Sequence, residues 1–190
     1  MIRSFIAISI PEEVKKEISK IVKEYEAKKY PFRWVAPENL HITLIFLGEV
    51  SEKFLLEAKS EIKKVAERTK SFPIRLGGFG AFPSLRNPRV IWIGVPLGGK
   101  EVEELQKDLV ESLTRIGFKP EEKKFHPHLT IARAKGSLKE IDLWERRYES
   151  EEFLVDRVIL FKSTLTPEGP IYNKIEEYPL MDCVIKGVLG

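Results

Sequence analysis

The chain has 190 residues, 43% of them hydrophobic and 32% charged, with Lys+Arg 32 against Asp+Glu 29. That is enough chain to bury a sizeable core, and a net charge of +3 excludes a histone-like basic tail and an acidic activation segment alike. A single cysteine, Cys183, excludes a disulfide framework and a Cys-rich zinc site.

The first residues, MIRSFIAISIPEEVKKE, hold a short apolar run that turns acidic, with no small-residue cleavage site behind it. No apolar stretch approaches the roughly 18 residues that span a membrane, so the expected location is cytoplasmic. Gln106 is the sole glutamine while Glu and Lys abound, a composition resembling that of thermophile proteins. Ser4–Ile10 reads as a strand, and Pro11 with Glu12 and Glu13 opens a helix, Pro suiting the first helical position and the acids the positive dipole end. Val14, Ile18, Ile21, Val22 and Tyr25 recur at helical spacing, so one face packs on a sheet. Arg33–Val35 and His41–Leu47 read as extended, the latter ended by Gly48. A second helix is expected from Ser51 to Thr69, with Leu55, Ala58, Ile62 and Val65 on its inner side.

Phe72–Phe79 reads as a strand, followed by a Gly/Pro/Asn loop through Pro88, and Arg89–Val95 as the next strand. A third helix runs from about Lys100 to Ile116, buries Val102, Leu105, Leu109 and Leu113, and meets Gly117 where a C-terminal cap belongs. Phe125–Ala132 is extended, Pro127 turning His126 away from helix. Ser137 to Glu140 forms a capping-box pattern for a short fourth helix. Phe153–Lys162 and Ile171–Tyr178 read as closing strands.

This order contains a duplication. Strand, Pro11, helix and His41-x-Thr43 in the first half answer to strand, Pro96, helix and His128-x-Thr130 in the second. The prolines lie 85 positions apart and the histidines 87. No linker separates the halves, so residues 1–190 are expected to form one compact domain of two interleaved, pseudo-symmetric lobes. Mixed rather than alternating elements favour an α+β fold.

Residues i and i+2 of a strand share a face. His41 and Thr43 therefore point one way while Ile42, Leu44 and Phe46 point toward a helix-covered core. In the second motif His128 and Thr130 oppose Leu129 and Ile131. An approximate two-fold axis would line one cleft with both polar pairs. Near neutral pH one imidazole can be neutral and take a proton while the other is charged and gives one. The hydroxyls can hydrogen-bond non-bridging phosphoryl oxygens between them. In-line displacement at a phosphodiester fits, and a strained 2′,3′-cyclic phosphate fits best, because water can open it without a metal. The duller reading of either histidine alone, a satisfied side chain on a strand, does not explain why the motif is repeated in matching surroundings.

On these motifs the chain resembles the two-histidine phosphoesterases, defined by paired H-x-[TS]-hydrophobic segments. The resemblance is to the branch of archaeal and bacterial RNA 2′,3′-cyclic phosphodiesterases, also called 2′-5′ RNA ligases. It extends through FIAI, RWVAPENLHITLIFLGEV, FGAFPSLRNPRVIWIGV, HPHLTIAR and STLTPEGPIY. It implies a bilobal fold with two antiparallel sheets around a central cleft and helices outside. It also implies a metal-independent hydrolase without a cofactor, whose product is the 2′-phosphomonoester and whose reverse chemistry joins RNA ends through a 2′-5′ linkage. His41 would then be the proton donor to the leaving 3′ oxygen and His128 the proton acceptor from water. The implied partners are RNA ends or nucleotides bearing a 2′,3′-cyclic phosphate, transfer RNA among them, for a monomer needing no membrane and no protein partner.

Arg133 closes the second motif, where the family often carries a basic residue that contacts phosphate. Strict alternation puts it on the Leu129/Ile131 face, and only a bulge near Ala132 would bring it into the cleft. Phe5, Trp34, Phe46 and Trp92 are candidate base-stacking rings, and Arg33 is a candidate RNA-backbone contact. The pair His126 and His128 lacks a third ligand at zinc-like spacing. Gly94-x-x-x-x-Gly99-Lys100 mimics a P-loop, but Glu101 stands where Ser or Thr would hold magnesium, so a tight turn into a helix is expected there. The competing functional reading is an RNA-end or phosphate-binding module without turnover.

Overall fold

A computed structural model describes residues 1–135 and 141–181. In chain order the elements are β1 (Ile2–Ser9), α1 (Glu12–Ala27), β2 (Phe32–Trp34), β3 (His41–Val50), α2 (Glu52–Arg68), β4 (Phe72–Ser84) and β5 (Asn87–Leu97). They continue with α3 (Gly99–Thr114), β6 (His128–Ala134), β7 (Phe153–Val155), β8 (Arg157–Thr166) and β9 (Gly169–Pro179). The expected helix at Ser137–Glu140 lies outside the described residues.

The strands form two antiparallel sheets, β3-β1-β8-β9 and β2-β6-β5-β4-β7. Within the α+β fold the duplication is explicit: β3-β1-β8 of one sheet corresponds to β6-β5-β4 of the other. Pairing carries the same offsets as the sequence. Ala7 opposite Thr43 answers to Trp92 opposite Thr130, and Ser9 opposite His41 to Gly94 opposite His128.

The helices bury the faces their periodicity marked. Val14, Ile18, Ile21, Val22 and Tyr25 of α1 are all in the core, as are Leu55, Ala58, Ile62 and Val65 of α2. Pro11 is the N-cap of α1 rather than its first helical residue, with φ −58°. Ser51 caps α2 by accepting from the Phe54 amide at 3.1 Å. At the end of α3, Gly117 takes φ +95° and the Phe118 amide reaches back to the Leu113 carbonyl, which makes a Schellman cap. Helix α1 is tied to the segment flanking the second sheet through Lys28–Asp142, Arg146–Glu24 and the Tyr148 hydroxyl on Glu17. Helices α2 and α3 pack on each other and on strands of the first sheet.

Three expected boundaries are corrected. Gly48 does not end β3; it takes φ +73° inside the strand, beside a bulge at Leu47. The expected loop up to Pro88 is mostly strand, since β4 and β5 pair until Ser84 meets Asn87. Finally, Phe153–Lys162 is two strands in different sheets: β7 pairs with β4, and after Asp156 the chain enters β8 beside β1. Local apolar character is the same on both sides of that break, so only pairing separates them.

Candidate active site

Both histidine strands carry a bulge at the same place. Ala7 pairs with Thr43 but Ile6 with Ile45, which leaves Leu44 as the extra residue of β3. In β6, Trp92 pairs with Thr130 but Ile91 with Ala132, and Ile131 is extra. A bulge restarts the alternation one residue late. The two motifs accordingly show one burial order: partly buried His, buried, partly buried Thr, two buried residues, then an exposed one. The exposed residues are Phe46 and Arg133, five after each histidine.

This changes two expectations. Phe46 does not point into the core: it is 58% exposed and lines the same cavity as Thr43 and His128. Arg133 comes round to the Thr130 side, because the bulge lies next to Ala132. Arg33 is directly opposite Arg133 in the β2–β6 pair and shares its face. Trp34, one residue on, faces the other way and packs edge-on to Phe32 at 5.1 Å against the core. It is therefore removed from the stacking candidates. Phe5 is removed as well, being only 2% exposed. Its ring instead stacks on His41 at 4.9 Å and on Phe161 at 5.1 Å.

The two imidazoles are oriented alike. Nδ1 of His41 lies 2.6 Å from the Asn39 carbonyl, and Nδ1 of His128 lies 2.6 Å from the His126 carbonyl. A carbonyl can only accept, so both rings carry the proton on Nδ1 when neutral. Nε2 is left in each to exchange a proton. Burial is the main influence on both and disfavours the charged form, lowering His41 to about 4 and His128 below its ordinary range. The bond to Asn39 opposes this at His41, while Lys15 adds to it. At His128 the charges of His126 and Arg133 add to the lowering. Without substrate both are neutral bases at pH 7.

The seat of each ring is aromatic, and the sequence reading missed most of it. Tyr172 meets His41 edge-on at 5.3 Å, and Phe161 lies 6.2 Å away. Phe82 meets His128 edge-on at 5.0 Å. Phe161 and Phe82 hold equivalent places on β8 and β4, a signal recoverable only by pairing each strand with its neighbour. Asn39 has a second task, donating from Nδ2 to the Pro170 carbonyl at 3.1 Å and so fastening the β8–β9 hairpin beside His41. Tyr172 also feels the charges of Arg133 and Arg3, so residues of the two sheets face one another across the cleft. Trp92 stays at the cleft, partly buried, with His126 5.0 Å and Phe82 5.3 Å from its ring.

His126 is exposed and holds His128 through its backbone carbonyl. Among the described residues no cluster of three or more His, Cys, Asp or Glu is arranged to hold a metal. The P-loop-like segment is a turn: Gly98 caps α3 at φ +77°, and a Cβ there would lie 2.4 Å from the Pro73 carbonyl. No helix among the described residues is long and apolar enough to cross a membrane.

A family profile, LigT like phosphoesterase, matches residues 8–92 and again 93–172, one copy for each half. An RNA 2′,3′-cyclic phosphodiesterase of Thermotoga maritima is 39% identical over 180 residues, covering 92% of this chain and 94% of that relative. One of Methanocaldococcus jannaschii is 40% identical over 181 residues, covering 93% and 99%. Among solved structures, a protein of Thermus thermophilus superposes with a TM-score of 0.81 at 28% identity, over 94% of this chain and 97% of its own. E. coli LigT complexed with 3′-AMP gives 0.78 at 26% identity, over 95% and 98%.

Proposed function

The chain belongs to the LigT-like phosphoesterase family, and from that premise we propose that it is an enzyme opening the 2′,3′-cyclic phosphate of RNA ends or nucleotides to a 2′-phosphomonoester. Water attacks phosphorus in line with the 3′ oxygen. Nε2 of His128 takes the water proton as the P–O bond forms, and protonated Nε2 of His41 gives its proton to the 3′ oxygen as that bond breaks. Thr43 and Thr130 hydrogen-bond the non-bridging oxygens, and Arg133 adds positive charge where negative charge develops. With a 5′-hydroxyl of a second RNA in place of water, the same steps leave a 2′-5′ linkage.

The observation that carries this reading is the matched pair of imidazoles, each with Nδ1 committed to the carbonyl two residues back and Nε2 free. The donor must hold a proton that ligand-free His41 lacks at neutral pH. A bound phosphodiester anion supplies the opposing charge that favours imidazolium. Burial, with the charges of His126 and Arg133 adding to it, keeps His128 neutral, which suits the acceptor. Phe46 offers an exposed ring to the terminal base, and Arg33 extends the positive face next to Arg133. We read the enzyme as a metal-independent cytoplasmic monomer.

The test is hydrolysis of 2′,3′-cyclic nucleotides and cyclic-phosphate RNA in EDTA, with product identification. Expected are sustained turnover, a 2′-phosphate product, and losses of about 10²–10⁴-fold in kcat for His41→Ala and for His128→Ala. Loss of activity with chelator would overturn the metal-free reading, and a 3′-phosphate product the proton assignment. RNA binding without any turnover would favour the binding-module reading.

A further inference from the structure

Thr43, Phe46 and His128 occupy only part of the wall of a cavity beside the histidine motifs. Beyond Thr43, Phe46 and His128, the same hollow of about 620 Å³ continues between β3, the β4–β5 hairpin and the segment that follows α3. That volume falls within the roughly 300–1,000 Å³ of pockets that enclose an organic ligand, more than a phosphoryl group needs. Its lining brings Phe118 and Phe125 together with Arg89, Lys123 and Lys124. The three cations are exposed and enter none of the ion pairs among the described residues. Helical lysines such as Lys15 and Lys64, by contrast, are held by a glutamate three residues away. One carboxylate, Glu121, also lines the groove, so positive charge dominates it.

Rings interleaved with unpaired cations suit single-stranded nucleic acid. Every base has a face to stack, and every phosphodiester has a charge to neutralise. We infer that this groove holds the RNA strand immediately 5′ of the cyclic phosphate and makes the enzyme prefer RNA ends to free cyclic mononucleotides. The inference rests on the two-histidine reading for where the cyclic phosphate sits. Connectivity then gives the direction. With the 2′ and 3′ oxygens closed on the phosphorus at the motifs and the terminal base on Phe46, only the 5′ oxygen continues the chain. Phe46 and the three cations line one cavity, so the cations meet the phosphates that follow.

The experiment compares the intact protein with Lys123→Gln/Lys124→Gln on 2′,3′-cyclic AMP and on a tetranucleotide ending in a 2′,3′-cyclic phosphate. Binding of the tetranucleotide ending in a 2′-phosphate is followed separately by fluorescence anisotropy at two salt concentrations, after matching thermal unfolding curves. The ratio of kcat/KM on tetranucleotide to that on mononucleotide is expected to fall about tenfold in the double variant, with a flatter salt dependence of binding. An unchanged ratio together with unchanged binding overturns the groove while leaving the phosphodiesterase reading intact. An equal loss on both substrates overturns it too, by placing the lysines at the phosphate site. If neither substrate turns over but binding still depends on the lysines, the groove stands and the two-histidine chemistry falls.

Discussion

The two histidines titrate in an environment that opposes their charged form, and this has a kinetic signature. The pH dependence of kcat/KM reports the free enzyme, and that of kcat the substrate complex. In the free enzyme His41 sits at about 4 because it is buried. In the complex an anionic phosphate raises it again. The alkaline limb of kcat is therefore expected at higher pH than that of kcat/KM, and coincident limbs in the pH–rate profiles would contradict the role given to the substrate anion. The residue scale also shows which features spacing could reveal. His41, Thr43, His128 and Thr130 were legible because strand alternation holds between i and i+2. Alternation alone puts Phe46 on the wrong face and makes Arg133 depend on a bulge, because it breaks at Leu44 and Ile131, within the next two residues.

A bulge is a property of a strand pair, since the extra residue is defined by what it lacks opposite. The β1–β3 and β5–β6 pairs each place one after the threonine, and so convert a run of apolar residues into a cleft-facing Phe46 or Arg133. The neighbouring pair β4–β5 explains Gly80. A Cβ there would lie 2.2 Å from the Trp92 ring, whose indole fills the space. Gly80→Ala is expected to cost about 1–3 kcal/mol and to lower Tm by several degrees, with Trp92 displaced against His126 and Phe82. A calorimetric Tm equal to that of the parent would mean that the ring yields freely. Helices needed no such information. Their apolar stripes and the Gly117 cap are local, and each fell where the spacing put it.

In the whole molecule the lobes exchange elements. The first sheet takes β1 and β3 from the first half and β8 and β9 from the end, while the second sheet takes β2 from the first half. We propose that the lobes unfold together, giving one calorimetric transition; two separated transitions would show independent units. His41 adds a pH term. Its folded value of about 4 lies below the ordinary 6.5, so between these values the unfolded chain binds more protons. The contribution is present above pH 6.5 and is lost as pH falls toward 4, by about 3 kcal/mol at most. Urea unfolding across that range is expected to show the loss, and His41→Asn to flatten it.

By itself the sequence determined the duplication, helices α1, α2 and α3 and the two His-x-Thr pairs, because these depend on spacing along one chain. The tertiary structure decided what depends on neighbouring strands: the bulges that turn Phe46 and Arg133 into the cleft, the division of Phe153–Lys162 between two sheets, and the burial of Phe5 beneath His41. It also supplied Phe82, Phe161 and Tyr172 as the walls around the histidines. Periodicity is written by one strand against its own core, whereas register and bulges arise only when a second strand pairs with it.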